Sequence, residues 1–192
     1  MTLAIALSGV KVLFTHDTEE GLTAAAALVN TAGRDGEQLP DVAALDEFVR
    51  TWGYTGERSR DQAELHAVRD LRLQLRQLWE VDEEGVVQIV NALLRDANLL
   101  PQLVRHDAWD YHLHPARPDA PLAARMAFEA AMALVGVVRR KELTRLRICA
   151  YPGCGNVVVD LTKNRSKRFC DNGCGNRAAV EAYRARKAAA KP

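Results

Sequence analysis

The residues able to do chemistry are gathered near one end of the sequence. All four cysteines lie in Cys149-Ala-Tyr-Pro-Gly-Cys154 and Cys170-Asp-Asn-Gly-Cys174, two close pairs separated by residues 155–169. Two thiol pairs, each delivered by a single turn, suit a tetrahedral soft metal, so Cys149, Cys154, Cys170 and Cys174 are the expected ligands of a structural zinc ion. Four thiolates leave no open coordination position, which argues against a catalytic metal. The competing reading is four reduced cysteines without metal; ligand spacing and turn glycines coinciding in so short a segment favour zinc. Met1 to Leu7 has no secretory pattern, so a cytoplasmic location is expected, and clustered cysteines in that reducing compartment are more often ligands than disulfides.

The elements that must hold these thiols are legible around them. Tyr151-Pro-Gly-Cys-Gly-Asn156 is turn chemistry, with Gly153 and Gly155 expected in left-handed conformations that aim backbone N–H groups at sulfur. Val157 to Leu161 reads as a strand, Lys163 to Ser166 as a turn and Lys167 to Phe169 as the returning strand. Cys170 and Cys174, at i and i+4, are expected on the first turn of a helix, whose dipole favours thiolate. Knuckle, hairpin and helix together make a treble clef. Replacing Cys170 by Ser is then expected to release the metal and melt the finger while the body stays folded.

Charge divides the chain in the same place. The formal net charge is only +1, but residues 1–138 carry 12 Lys/Arg and 21 Asp/Glu, giving −9, while residues 139–192 carry 14 and 4, giving +10. A basic segment beside an acidic body suits a polyanion partner, because phosphate binding gains from counterion release. The candidates for nucleic-acid contact are Lys163, Arg165, Lys167, Arg168, Asn176, Arg177, Arg184, Arg186 and Lys187, with Asn176, Arg177 and Arg184 able to read base edges. Two alternatives stand beside this: the charges only solvate a small finger, or Asn176 or Arg177 braces the finger against the body.

The upstream body reads as mainly helical. Alanine-rich Leu22 to Thr31, Val42 to Trp52 behind the N-cap Asp41, a segment from Ser59 striped with Leu65, Val68, Leu71, Leu75 and Leu78, and Asp82 to Asn98 are each expected helices. A last helix is expected from about Leu122 to about Arg147; its apolar middle carries Arg125 and Glu129 nearby and reads as core rather than membrane span. Val10 to His16 alternates like a short strand, and Leu103 to His114 like a hairpin turning near His106 to Ala108. His112 and His114 share a strand face without a carboxylate at ligand spacing, so a hydrogen-bonded pair is preferred to a metal site. Asn30, Trp109, His112 and His114 are the expected lining of any ligand pocket. The fold class expected is α+β: residues 1–144 a mainly helical domain with a small β-hairpin, residues 145–192 a treble-clef-like finger with a basic C-terminal helix.

Cys174-Gly-Asn-Arg177, preceded by Arg168-Phe-Cys170 and Cys149…Cys154, resembles the CGNR zinc finger at the C-terminus of a bacterial protein family. The body is similar to its companion, the ABATE domain, through Leu28-Val-Asn-Thr31, the stretch Trp109 to His114 and the helix entering the finger. The resemblance implies a stress-induced transcription regulator that holds DNA with the finger and senses a small-molecule effector with the body, and a homodimer is expected because one finger buries little surface. The alternative is a protein-interaction or RNA-binding finger. No phosphate-cradling glycine loop, nucleophile elbow or metalloprotease helix supports an enzyme.

Overall fold

The computed structural model describes residues 14–105, 111–115 and 117–189. Five helices build the body: α1 (His16–Asn30), α2 (Val42–Thr51), α3 (Gln62–Arg76), α4 (Glu83–Ala97) and α5 (Leu122–Arg139). Three begin at aspartates that accept the orphan N–H three residues on: Asp41 from Ala44 at 2.8 Å, Asp61 from Glu64 at 2.8 Å and Asp82 from Gly85 at 2.9 Å. Each such cap contributes about 1 kcal/mol. Leu65, Val68, Leu71, Leu75 and Leu78 are all buried, as their spacing requires. Helix α5 is the central element, packing on α1, α3 and α4 through Ala130, Ala131, Ala133, Leu134 and Val137. Among the described residues no helix is long and apolar enough to cross a membrane.

Three two-stranded antiparallel ladders complete the fold. β1 (Ala32–Gly33) pairs with β2 (Gly36–Glu37), β3 (Pro101–Val104) with β4 (His112–Pro115), and β5 (Leu146–Ile148) with β6 (Val157–Val159). The β3–β4 hairpin is the one expected from alternation, with Leu103 opposite Leu113; its turn lies outside the described residues. After it, α6 (Cys174–Ala189) ends the described chain.

Four expectations are corrected. The first helix begins at His16, so the expected Val10–His16 strand loses its last residue to α1, and its residues 10–13 lie outside those described. Helix α5 stops at Arg139 rather than near Arg147, because Lys141 takes a positive φ of 58° and the chain goes on through a 3-10 turn at Leu143–Arg145 into β5. The strand before the cysteine knuckle, not Lys167–Phe169, is the partner of β6. The reason is Asp160, fully buried, whose carboxylate accepts the Lys167 N–H at 3.0 Å and the Thr162 N–H at 3.0 Å and so holds the returning segment as a loop. Finally, Cys170 precedes α6; Asp171-Asn-Gly173 is a turn, with Gly173 at φ 73°.

Strand β6 belongs to two cores at once. Alternating side chains send Val157 and Val159 into the body core and Val158 into the cysteine cluster. Asn30, the last residue of α1, completes β6 as a neighbouring strand would: its Nδ2 donates to the Val157 carbonyl at 3.0 Å and its Oδ1 accepts the Val157 N–H at 2.8 Å. Trp79 Nε1 donates to the Val158 carbonyl at 3.1 Å, and Arg76 to the Gly155 carbonyl at 3.0 Å. Gly33 is needed where β1 meets the knuckle, since a Cβ there would stand 2.2 Å from Asn156 Oδ1.

Candidate metal centre and nucleic-acid interface

The knuckle, the 160–170 loop and the start of α6 converge on one point. The four cysteines are buried, and their Sγ atoms all lie within 4.8 Å of one another. The Cys154–Cys170, Cys170–Cys174 and Cys174–Cys154 separations are 3.6, 3.5 and 3.5 Å. Zinc–sulfur bonds of about 2.3 Å set tetrahedral sulfurs about 3.8 Å apart, so the donor set fits this ion in spacing and in softness. Gly153 and Gly155 take positive φ of 71° and 69°, the knuckle conformation expected of them.

Donors surround the sulfurs as thiolates demand. The Cys170 N–H points at Cys149 Sγ at 3.3 Å, Asn156 Nδ2 at Cys170 Sγ at 3.6 Å, and Arg177 Nη2 at Cys174 Sγ at 3.1 Å. Without a cation, burial pushes Cys170 up to about 12. Burial also raises Cys174, but the Arg177 guanidinium and the neighbouring sulfurs outweigh it and bring that thiol down to about 7. A divalent cation at the centre of the cluster would deprotonate all four.

Arg177 is fixed from three sides. The same Nη2 donates to the Asn172 carbonyl at 2.7 Å, and the guanidinium lies 5.5 Å from the centre of the Tyr151 ring. Arg34, from the β1–β2 turn, lies 5.3 Å from that same ring, and the Tyr151 hydroxyl donates to Glu181. A body arginine, a knuckle tyrosine and a helix arginine therefore stack toward one zinc ligand. Asn172 Nδ2 adds a bond to Asp35 at 3.0 Å.

A family model described as CGNR zinc finger matches residues 145–187, and the ABATE model, described as "Putative stress-induced transcription regulator", matches residues 22–139. The chain belongs to the ABATE family. No curated protein matches it. Zinc is the metal this family implies, and the buried four-cysteine cluster of the ABATE chain fits it.

The basic candidates of this ABATE chain divide into two sets. Arg165 pairs with Glu142 at 2.9 Å, Lys167 with Asp171 at 3.0 Å, and Arg177 faces the metal centre. Arg168 is exposed, with its guanidinium 5.6 Å from the centre of the Phe169 ring. Lys163, Asn176, Arg184, Arg186 and Lys187 are exposed, and the four cations among them form no ion pair with a described residue. In α6 only Cys174 is buried.

Of the residues expected to line a ligand pocket in the ABATE body, Asn30 and His114 are among those described. Asn30 spends one bond from each amide atom on β6, which fixes the orientation of its side chain. Trp109 and the His112 side chain lie outside the described residues, and His114 sits half-buried in β4 opposite Gln102. Clefts of about 680 and 540 Å³ lie beside the Gly56–Arg60 loop, lined by residues such as Tyr54, Arg58 and Glu64.

Sequence reasoning missed Asp160, Tyr151 and Arg34. Asp160 carried a signal, being one of only four acids in the basic segment 139–192. The Arg34–Tyr151 contact carried none, since it joins distant parts of the chain.

Proposed function

We propose that this protein regulates transcription by binding duplex DNA through the outer surface of its zinc-held finger. The observation carrying this reading is the separation of the basic residues: Arg165, Lys167 and Arg177 face partners within the chain, while Lys163, Arg184, Arg186 and Lys187 are left exposed on the finger. Uncompensated cations concentrated on a metal-rigidified module are suited to phosphate contacts. The acidic body, −9 over residues 1–138, would be repelled from the same polyanion, so it orients the finger toward DNA.

A single finger offers a small interface, and pairing of two chains through their bodies would bring two fingers to one site. Genome-wide mapping of bound DNA, with zinc content measured on the same protein, tests the proposal. Discrete enriched sites that disappear when Lys163, Arg184, Arg186 and Lys187 are replaced together by alanine support it. Absence of enrichment by a fully zinc-loaded protein contradicts it.

A further inference from the structure

Helix α6 presents a face that no other described residue covers. Val180 is 47% and Tyr183 59% exposed, and neither joins a hydrophobic cluster of the described residues. At 100° per residue Asn176, Val180, Tyr183 and Lys187 fall within an arc of about 60°, with Arg184 about 40° past its edge. Arg177 and Glu181 lie beyond that edge, where both engage Tyr151. From Ala179 to Ala189 every residue is exposed, so α6 projects roughly 16 Å past its last covered turn. A helix of that length is marginal in water unless something covers it.

We infer that this face is the base-reading surface, seated in the major groove of duplex DNA over A·T pairs. The inference rests on the DNA-binding reading above and adds to it the groove and the base chemistry. Asn176 has the amide that pairs in bidentate fashion with adenine, while Val180 and Tyr183 supply apolar surface for the thymine methyl. Arg184, Arg186 and Lys187 flank them for phosphates. A major groove about 12 Å wide admits a lone helix. Charge decides against a second copy as occupant: Arg184, Arg186 and Lys187 outweigh Glu181 on the helix's outer half, and two such helices face to face would repel.

The test uses the full zinc-loaded chain, a duplex it selects from a random pool, the same duplex with thymine replaced by uracil, and a scrambled duplex. Uracil keeps the pairing and removes only the methyl. The wild type should prefer the selected duplex by about tenfold or more and lose several-fold on uracil substitution. Val180→Ala and Tyr183→Ala should become insensitive to uracil, and Asn176→Ala should lose the preference, while binding of scrambled duplex stays within about twofold. These side chains are exposed, so zinc content and helicity should be unchanged, which separates the effect from misfolding. Selected DNA bound equally by all variants and both duplexes, or bound without sequence preference, overturns the inference and leaves the DNA-binding reading standing. No binding of any duplex by the wild type overturns both. A dimer broken by Tyr183→Ala with DNA preference intact assigns the face to a second copy and overturns the inference.

Discussion

Arg177 Nη2 lies 3.1 Å from Cys174 Sγ, so the arginine of the Cys-Gly-Asn-Arg signature faces the metal centre. Groups that hydrogen-bond a ligand orient it and set its basicity, and losing one typically weakens metal affinity by about 10- to 100-fold. Arg177→Met should raise the zinc dissociation constant by that factor in a chelator competition, with Arg177→Lys intermediate. Unchanged zinc affinity in Arg177→Met would show that the contact is incidental.

Asn30 holds β6 by both its amide atoms, and its loss leaves the Val157 N–H and C=O without partners. Such orphaned groups cost about 1 to 3 kcal/mol each. Asn30→Leu should therefore lower unfolding free energy by about 2 to 5 kcal/mol in urea titration, more than Asn30→Gln. A loss below about 0.5 kcal/mol, the range of an ordinary surface substitution, would remove the clamp from the account.

The same clamp revises what metal loss should do. Because Val157 and Val159 belong to the body core, the finger cannot melt without uncovering the body. Burial of each valine is worth about 1.5 to 3 kcal/mol. Chelation, or Cys170→Ser, should accordingly lower the melting temperature of the helical signal as a whole, instead of melting the finger alone. A body transition that stays at the same temperature after complete zinc removal would contradict this coupling.

Glu129 makes stability depend on pH. Burial pushes its carboxyl up from 4.5 to about 7, with Arg125 opposing and Glu20 adding to the rise. A raised acid stabilises the folded state below its unfolded value and loses that contribution as pH climbs through the folded one, here between 4.5 and about 7. Glu129→Gln should thus stabilise the protein at pH 8 by on the order of 1 to 3 kcal/mol and change little at pH 4. Calorimetry at the two values checks it, and an equal effect at both would rule out titration as the cause. Glu37 acts in the opposite sense: hydrogen bonding to Arg72 holds it down at about 2, so its contribution is lost as pH falls from 4.5 toward that value.

The helices were legible because their signals are local. Leu65 to Leu78 repeat on one face, and Asp41 and Asp82 stand where caps belong. The ligand set was equally local. What escaped were the contacts between distant segments or across a loop in which a side chain takes the place of backbone pairing: Asn30 on Val157, and Asp160 on Lys167. Neither leaves a periodic trace, and the second turns an expected strand into a loop. Cys170 lay outside the helix for a reason that was on view, because Asp171-Asn-Gly173 is composed as a turn. Arg177 was weighed as brace or as reader of bases, and only the placement of Tyr151 and Asn172 gives its guanidinium a ring beside it and its Nη2 a carbonyl partner.

The central claim is that a zinc-held basic surface binds DNA, and salt titration tests it most directly. With Lys163, Arg184, Arg186 and Lys187 each neutralising a phosphate, the logarithm of affinity should fall against the logarithm of salt with slope about −3 to −4. Removing one of these charges should reduce the slope by about one, and removing zinc should abolish specific binding. A zinc-loaded protein whose affinity for duplex DNA is indifferent to salt, or that retards no duplex at low salt, would contradict the account.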